Sequence, residues 1–181
     1  MNTTTSLPRR RLLTLGLGAA LAIGVGPALA SRGERRLAFT HLHTGESLQV
    51  AYWQDGGYVA DGIAAINHLL RDHRSGEAGA MEPQLLDLLF RLQQRLGLQR
   101  PYAVISAYRS PQTNALLRQS SSGVAKKSLH MEGRAIDVRL PGDAMQALLR
   151  AAHDLRGGGV GYYPRSGFIH LDTGPFRTWR G

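Results

Sequence analysis

The sequence predicts one domain that combines α-helices and β-strands. Residues 37–43 and 47–53 alternate apolar and polar side chains on either side of Gly45, which is typical of a β-hairpin. Leucines recur at helical spacing between residues 81 and 96, so this segment is predicted to be an amphipathic helix. Residues 168–172 alternate again and predict a closing strand. The 181 residues contain no internal repeat and no interior linker, which favours a single core.

The same periodicities and capping signals predict the elements between these segments. They are, in chain order, a helix over 61–70 capped by Asp61, a strand over 102–106, a helix that begins at Ser110 or Pro111, a strand over 134–140, a helix over 144–155 and a strand entered through the glycines at 157–159.

Residues 1–30 have the order of a secretory signal. Arginines at 9–11 precede an apolar run over 12–25, and residues 28–30 form a small-x-small cleavage site before Ser31. The arginine pair resembles a twin-arginine signal, which exports folded proteins. We therefore expect a periplasmic protein without stable membrane insertion once the signal is removed. An uncleaved anchor is the alternative, which the short and glycine-rich run disfavours.

One group of three residues indicates the chemistry of the protein. His130 and Asp137 lie seven residues apart with Gly133 between them, and His170 follows in the closing strand. Two imidazoles and one carboxylate are a common ligand set for a zinc ion (Zn2+) that keeps an open position for water. Asp137 falls within a predicted strand, where an unpaired carboxylate is costly and a cation removes that cost. The alternative is a metal-free hydrogen-bonded network of the same three side chains.

Composition narrows the class of protein further. The chain has no cysteine, which excludes disulfides and cysteine-ligated zinc. The net charge is +9, and three of the positive charges lie in the leader. A basic domain suits nucleic acid, an anionic surface or an anionic polymer. Nucleic acid is disfavoured because the leader exports the protein and because aromatic residues are not interleaved with the basic ones.

Arg109 is a candidate for substrate contact. It follows a predicted strand and precedes a helix start, a position from which a guanidinium fork can bind a carboxylate or an oxyanion in a cleft. A surface ion pair is the alternative. His41 and His43 share one strand face and are also possible metal ligands, although such a pair is more often a solvated strand face.

These residues together resemble a known family. The pattern Ser-x-His-x-x-Gly-x-Ala-x-Asp at 128–137 resembles that of the zinc D-Ala-D-Ala carboxypeptidases and endopeptidases, and Ser-x-Tyr-Arg-Ser at 106–110 matches the arginine motif of that group. The span 37–179, with Gly-Gly-Val-Gly-Tyr-Tyr-Pro and Phe-Ile-His-Leu-Asp-Thr-Gly, is similar to the murein endopeptidase K, or YcbK-like, branch.

The resemblance implies an α+β fold with a small central antiparallel sheet flanked by helices. It implies that residues 31–181 are a monomeric zinc peptidase domain that hydrolyses stem peptides or cross-links of peptidoglycan. It also assigns the zinc ion to His130, Asp137 and His170. Arg109 would then hold a substrate carboxylate or polarise the scissile carbonyl.

One departure from the group concerns the general base. Its carboxypeptidases carry Glu or His two or three residues before the last ligand, where this chain has Gly167 and Phe168. Asp172 is the nearest carboxylate, and two roles are open to it: catalytic base, or acceptor that orients a metal ligand. Glu132 is a weaker candidate because it lies on a turn. A non-catalytic, metal-containing peptidoglycan-binding module is therefore the alternative function.

Overall fold

The computed structural model describes Met1, residues 33–121 and residues 123–181. The predicted signal and its boundary after residue 30 lie outside the described residues. Within them, no helix has both the length and the apolar character needed to cross a bilayer. The strands are β1 (Arg35–His41), β2 (Ser47–Gln54), β3 (Gly57–Tyr58), β4 (Tyr102–Ser106), β5 (Ala135–Arg139), β6 (Gly159–Tyr163), β7 (Phe168–Asp172) and β8 (Arg177–Arg180). The α-helices are α1 (Ala60–Leu69), α2 (Pro83–Leu96), α3 (Pro111–Ser120) and α4 (Asp143–Leu155), and a 3₁₀ helix spans Leu129–Glu132.

The described strands form one sheet of eight in the order β3-β2-β1-β4-β5-β7-β6-β8. The predicted α+β class is confirmed, but the prediction of a small, antiparallel sheet is wrong, because β1 pairs with β4 and β6 pairs with β8 in parallel. Helices α1 and α2 lie between β1 and β4 in the chain and supply the crossover that a parallel pair needs. Strand β8 reverses direction after β7, so it runs parallel to β6.

Most predicted elements are present, with shifts at their ends. The first hairpin, β1 and β2, is antiparallel as expected. Ser110 caps α3 by accepting a hydrogen bond from Thr113, and Gly97 ends α2 with a φ of 59°. Asp61 is not the cap of α1: Val59 holds that position, because its N–H donates to Tyr52 of β2 and the helix begins directly from that contact. Asp61 instead lies in the first turn, where a negative charge is favourable.

The core lies between the sheet and helices α2 and α4, which also contact each other. Four leucines of α2 are completely buried, and burial of each contributes about 1.5–3 kcal/mol; they are Leu85, Leu86, Leu89 and Leu92. On β5, Ile136 and Val138 are completely buried in the same core. Because side chains alternate along a strand, Asp137 is directed to the opposite face of the sheet.

Candidate metal centre

Three side chains converge on that opposite face. Asp137 on β5 pairs with His170 on β7, and His130 comes from the 3₁₀ helix that precedes β5. One ligand atom from each of the three lies within 4.8 Å of the other two. Asp137 Oδ1 is 2.8 Å from His170 Nδ1, and Asp137 Oδ2 is 3.4 Å from His130 Nε2. The structure therefore brings together the residues that the sequence indicates as metal ligands.

Each imidazole is held by an acceptor on its other nitrogen. His130 Nδ1 lies 2.7 Å from the carbonyl oxygen of Ala107, and His170 Nε2 lies 3.0 Å from Asp172 Oδ2. A carbonyl oxygen only accepts, so His130 Nδ1 carries a hydrogen and its Nε2 keeps a lone pair. This is the arrangement in which histidine ligands are oriented by groups behind them. The nitrogens that face Asp137 are therefore the candidate ligand atoms.

Electrostatics favour a cation at this position. Burial would raise the pKa of the Asp137 carboxyl, but the adjacent imidazoles His130 and His170 outweigh burial and hold that pKa well below its usual range. Burial lowers the pKa of His170, whereas the hydrogen bonds that its ring nitrogens donate to the carboxylates of Asp137 and Asp172 raise it, with a net value of about 9. Two buried carboxylates thus stabilise positive charge around His170. A divalent ion bound by the three ligand atoms supplies that charge, so the donor set fits a metal.

The backbone places His130 through a turn that only glycine tolerates. Gly133 follows the 3₁₀ helix with a φ of 66°, and a Cβ at this position would overlap the carbonyl of Ala80. The N–H of Glu82 donates to the carbonyl of Gly133 at 2.9 Å. This tight bend is therefore held against the segment that precedes α2.

Asp172 is enclosed behind His170. Its side chain is completely buried, and its Oδ1 accepts hydrogen bonds from the N–H groups of Gly159 (2.9 Å) and Gly174 (2.8 Å). Its Oδ2 accepts one from Arg177 Nη2 at 2.7 Å. Burial opposes ionisation, but these donors, with His170, hold the pKa of Asp172 well below its usual range. Asp172 is therefore a permanently charged acceptor whose oxygens are already occupied.

Arg109 is attached to the metal-binding segment through the backbone. Its N–H donates to the carbonyl of His130 at 3.1 Å, and its Nη1 donates to Asn114 Oδ1 at 3.3 Å. Its Nε is buried and has no protein acceptor among the described residues. The next residue is anchored by buried Asp72, which accepts from Ser110 N–H (2.9 Å) and Ser110 Oγ (2.8 Å). Burial lowers the pKa of Arg109, the expected result for a cation with part of its hydration removed.

The three ligands and Arg109 open onto one cleft of about 580 Å³. The cleft is also lined by Tyr163, Phe168, Trp179, loop residues 123–125 and Lys127. A cleft of this size accommodates several residues of a peptide in extended form. The site therefore has a cationic side chain, a metal-binding group and an open approach for a substrate.

Comparison with known proteins gives a family for this arrangement. Residues 29–179 match the sequence profile of a family described as Peptidoglycan L,D-endopeptidase MepK. The chain belongs to the MepK family. It is 45% identical over 176 residues to the Peptidoglycan L,D-endopeptidase MepK of Escherichia coli strain K12, covering 94% of this chain and 96% of that protein. It is 41% identical over 179 residues to the Probable peptidoglycan L,D-endopeptidase MepK of Haemophilus influenzae, covering 96% of each.

The other residues that the sequence indicates as possible bases or metal ligands lie outside the metal-binding group. Glu132 is exposed, pairs with Arg134 and does not line the cleft. His41 and His43 lie at the end of the first hairpin, where His41 Nδ1 accepts the N–H of His43 at 3.2 Å. Because His41 Nδ1 accepts this hydrogen bond, the neutral imidazole of His41 carries its hydrogen on Nε2. Neither nitrogen of His41 then has a free lone pair for a metal. Neither histidine joins a metal-binding group within the described part of the chain.

Three residues of the cleft are not indicated as site residues by the sequence. Tyr163, Arg177 and Trp179 line the cleft, and the last two belong to β8. Gly174 and Pro175 indicate the end of a strand, so the residues after them were expected only to finish the chain. The glycine-rich stretch before Tyr163 was the available signal, because glycines on a strand indicate close approach of another group.

Proposed function

We propose that this chain is an exported zinc peptidase that hydrolyses a peptide bond between an L- and a D-configured centre of peptidoglycan. The observation that carries the proposal is the convergence of His130, Asp137 and His170, each imidazole being held by an acceptor on its outer nitrogen. The choice of substrate is supported by 45% identity over 94% of the chain to a protein named as a peptidoglycan L,D-endopeptidase.

Zinc is the metal that this donor set favours. Two imidazole nitrogens and one carboxylate oxygen are typical of catalytic zinc sites, in which a fourth position stays open. The described chain offers no thiolate, since it contains no cysteine. The ligands lie at the floor of a cleft, so the open position is accessible to water and to a substrate carbonyl.

The residues around the site have separate tasks in this mechanism. A zinc ion bound there supplies a water activated at neutral pH. Arg109, which lines the cleft beside the metal-binding group, donates hydrogen bonds from its guanidinium to the carbonyl oxygen as negative charge develops on it. Ala107 and Asp172 keep the two imidazoles in the orientation that binds the metal.

Asp172 acts in this proposal as the acceptor that orients His170. Its oxygens are taken by Gly159, Gly174, Arg177 and His170, so neither is free to accept a proton from water. We expect Asp172→Asn to lower zinc affinity by about 10–100-fold, as is common for loss of such an outer partner. Competition titration with a chromophoric chelator measures the affinity, and muropeptide release at saturating zinc measures the rate.

The two roles of Asp172 give opposite results in this experiment. An orienting acceptor loses zinc affinity, and most of the activity returns at saturating zinc. A catalytic base keeps zinc affinity and loses activity that added zinc does not restore, and this second result would contradict the proposed role. Asp154→Asn is the matched control, because Asp154 is exposed on α4 and pairs only with Arg95.

Metal removal tests the function itself. We expect the protein to release soluble muropeptides from purified sacculi, to lose this activity in a chelator and to regain it when zinc is added. Mass spectrometry of the products identifies the cleaved bond and whether it joins L- and D-centres. Binding to sacculi without any released muropeptide, with or without zinc, would instead indicate the non-catalytic wall-binding module.

The proposed function also requires that the protein is exported. Residues 1–30 carry the arginines, the apolar run and the small-x-small site of a signal, with the arginine pair of the twin-arginine route. Peptidoglycan lies outside the cytoplasmic membrane, so a peptidase that acts on it requires such a leader. The excess of basic residues suits an anionic polymer.

A further inference from the structure

Tyr163 lines the same cleft as Arg109 and the metal-binding group. Trp179 Nε1 donates a hydrogen bond to the Tyr163 oxygen at 2.9 Å. An indole N–H can only donate, so the phenol oxygen is the acceptor and its own hydrogen remains available. Within residues 33–121 and 123–181, no protein acceptor takes that hydrogen. The phenol is therefore a hydrogen-bond donor oriented by the group behind it.

The ring of Tyr163 is fixed from two sides. It stacks on Phe168, its cross-strand partner, with ring centroids 4.4 Å apart and planes inclined by 14°. Trp179 lies over Gly161, where any Cβ would overlap the indole, and its ring centroid is 5.2 Å from that of His170. One indole thus contacts a metal ligand and also positions the phenol. Such preorganised donors stabilise developing charge without reorganisation cost.

Three other donors of the cleft are either exposed or already paired. Lys127 and Ser166 lie on exposed loops, and Arg177 is bound to Asp172. Tyr163 lies on a strand in the sheet that carries Asp137 and His170. Together with Arg109, a second donor in the cleft would allow the carbonyl oxygen to accept two hydrogen bonds. The positions that hold a Glu or His in related carboxypeptidases are Gly167 and Phe168 here, and Phe168 instead supports the phenol.

We propose that Tyr163 is a further catalytic residue, whose hydroxyl donates a hydrogen bond to the scissile carbonyl oxygen as it becomes an oxyanion, and that Trp179 is its positioning residue. This inference rests on the proposed function and adds to it a second donor beside Arg109. No bond to Tyr163 forms or breaks in this role. The phenol keeps its proton and is ready for the next substrate.

The test compares Tyr163→Phe with Tyr162→Phe in the full chain. Tyr162 is the neighbouring tyrosine, and its hydroxyl accepts from Gln146 at 3.0 Å outside the cleft. We expect Tyr163→Phe to lower kcat for muropeptide release by about 10²-fold, as for loss of one oxyanion donor, with KM little changed. Tyr162→Phe is expected to stay within about twofold of wild type, since it removes no cleft donor.

Binding of a transition-state mimic gives a readout that is independent of turnover. A phosphinate dipeptide, whose tetrahedral anion resembles the oxyanion, is expected to bind Tyr163→Phe at least about tenfold more weakly by calorimetry. Zinc content and melting temperature are expected to remain those of wild type. Trp179→Phe should lower activity less than Tyr163→Phe does. When Trp179→Phe is added to Tyr163→Phe, little further activity should be lost, because both residues act through one hydroxyl.

The outcomes separate this inference from the proposed function. A Tyr163→Phe variant with wild-type kcat and wild-type phosphinate affinity overturns the role of Tyr163 and leaves the peptidase intact. If Trp179→Phe lowers activity by the same factor in Tyr163→Phe as in wild type, the positioning role of Trp179 is overturned. A wild-type protein that neither releases muropeptides nor binds the phosphinate rejects the proposed function, and the inference with it.

Discussion

Asp137→Asn is expected to abolish both metal retention and muropeptide release. Asp137 is the only anionic member of the group, and its two oxygens face one nitrogen each of His170 and His130. An amide has the same shape, but it lacks the charge that compensates a divalent ion in a buried site. Metal analysis of the desalted protein should fall from about one zinc per chain to background, as expected when one of three protein ligands is lost.

The loss should be specific to this carboxylate. Asp154→Asn makes the same chemical change on the surface of α4 and is expected to keep its metal and its activity. Circular dichroism should show that Asp137→Asn remains folded, because the core beneath β5 is apolar and is unchanged. An Asp137→Asn protein that holds one zinc per chain after desalting would contradict the ligand assignment.

The ligand group was predictable from sequence because its parts lie on regular elements. The alternation in residues 168–172 fixes which side chains of β7 share a face, and the same rule places Asp137 on β5. Gly133 indicated the turn that returns His130 to the sheet. The register of β5 against β7 then brings Asp137 and His170 into direct opposition, and this long-range pairing is not predicted by a pattern of period two alone.

The sheet was harder to predict because its edges carry little local signal. Strand β3 has two residues, and β8 follows Gly174 and Pro175, which typically end a strand. Strands β1 and β4 are separated in the chain by two helices. The periodicity of neither strand predicts that the two pair in parallel. The sequence analysis therefore described the hairpins correctly and missed the long-range pairs that widen the sheet.

The same long-range pairing explains why the wall of the cleft was missed. Trp179 reaches the site only because β8 pairs with β6, which places the indole over Gly161 and beside His170. Arg177 reaches Asp172 for the same reason. Neither residue forms a motif with the metal ligands in sequence. Their contribution depends on a strand pair that local propensity does not predict.

Arg109→Ala is expected to lower kcat by about 10²–10³-fold, the usual range for removal of one oxyanion donor. Arg109 is half-buried beside the metal-binding segment and lines the cleft. A preorganised guanidinium with part of its hydration removed stabilises a developing oxyanion more than an exposed one does. The carbonyl oxygen of a substrate in the cleft is the group on which that charge develops. Steady-state kinetics of muropeptide release measures the effect.

The division between kcat and KM distinguishes the two roles considered for Arg109. An endopeptidase cleaves an internal bond, so the cleaved residue need not present a free carboxylate. A guanidinium that polarises the carbonyl acts mainly in the transition state, and its loss lowers kcat. A guanidinium that holds a terminal carboxylate binds the ground state as well, and its loss raises KM. A raised KM at wild-type kcat would therefore assign Arg109 to carboxylate binding.

Two further variants test whether the guanidinium of Arg109 is required. Arg118→Ala removes an exposed arginine from the neighbouring α3 and is expected to retain wild-type kinetics, which controls for loss of one positive charge. Arg109→Lys keeps the charge but not the planar fork, so it should recover only part of the rate. Full recovery by lysine would mean that charge alone is sufficient, whereas partial recovery indicates directed hydrogen bonds from the guanidinium. Because Asn114 already accepts from Nη1, the donors that remain for substrate are those directed away from α3.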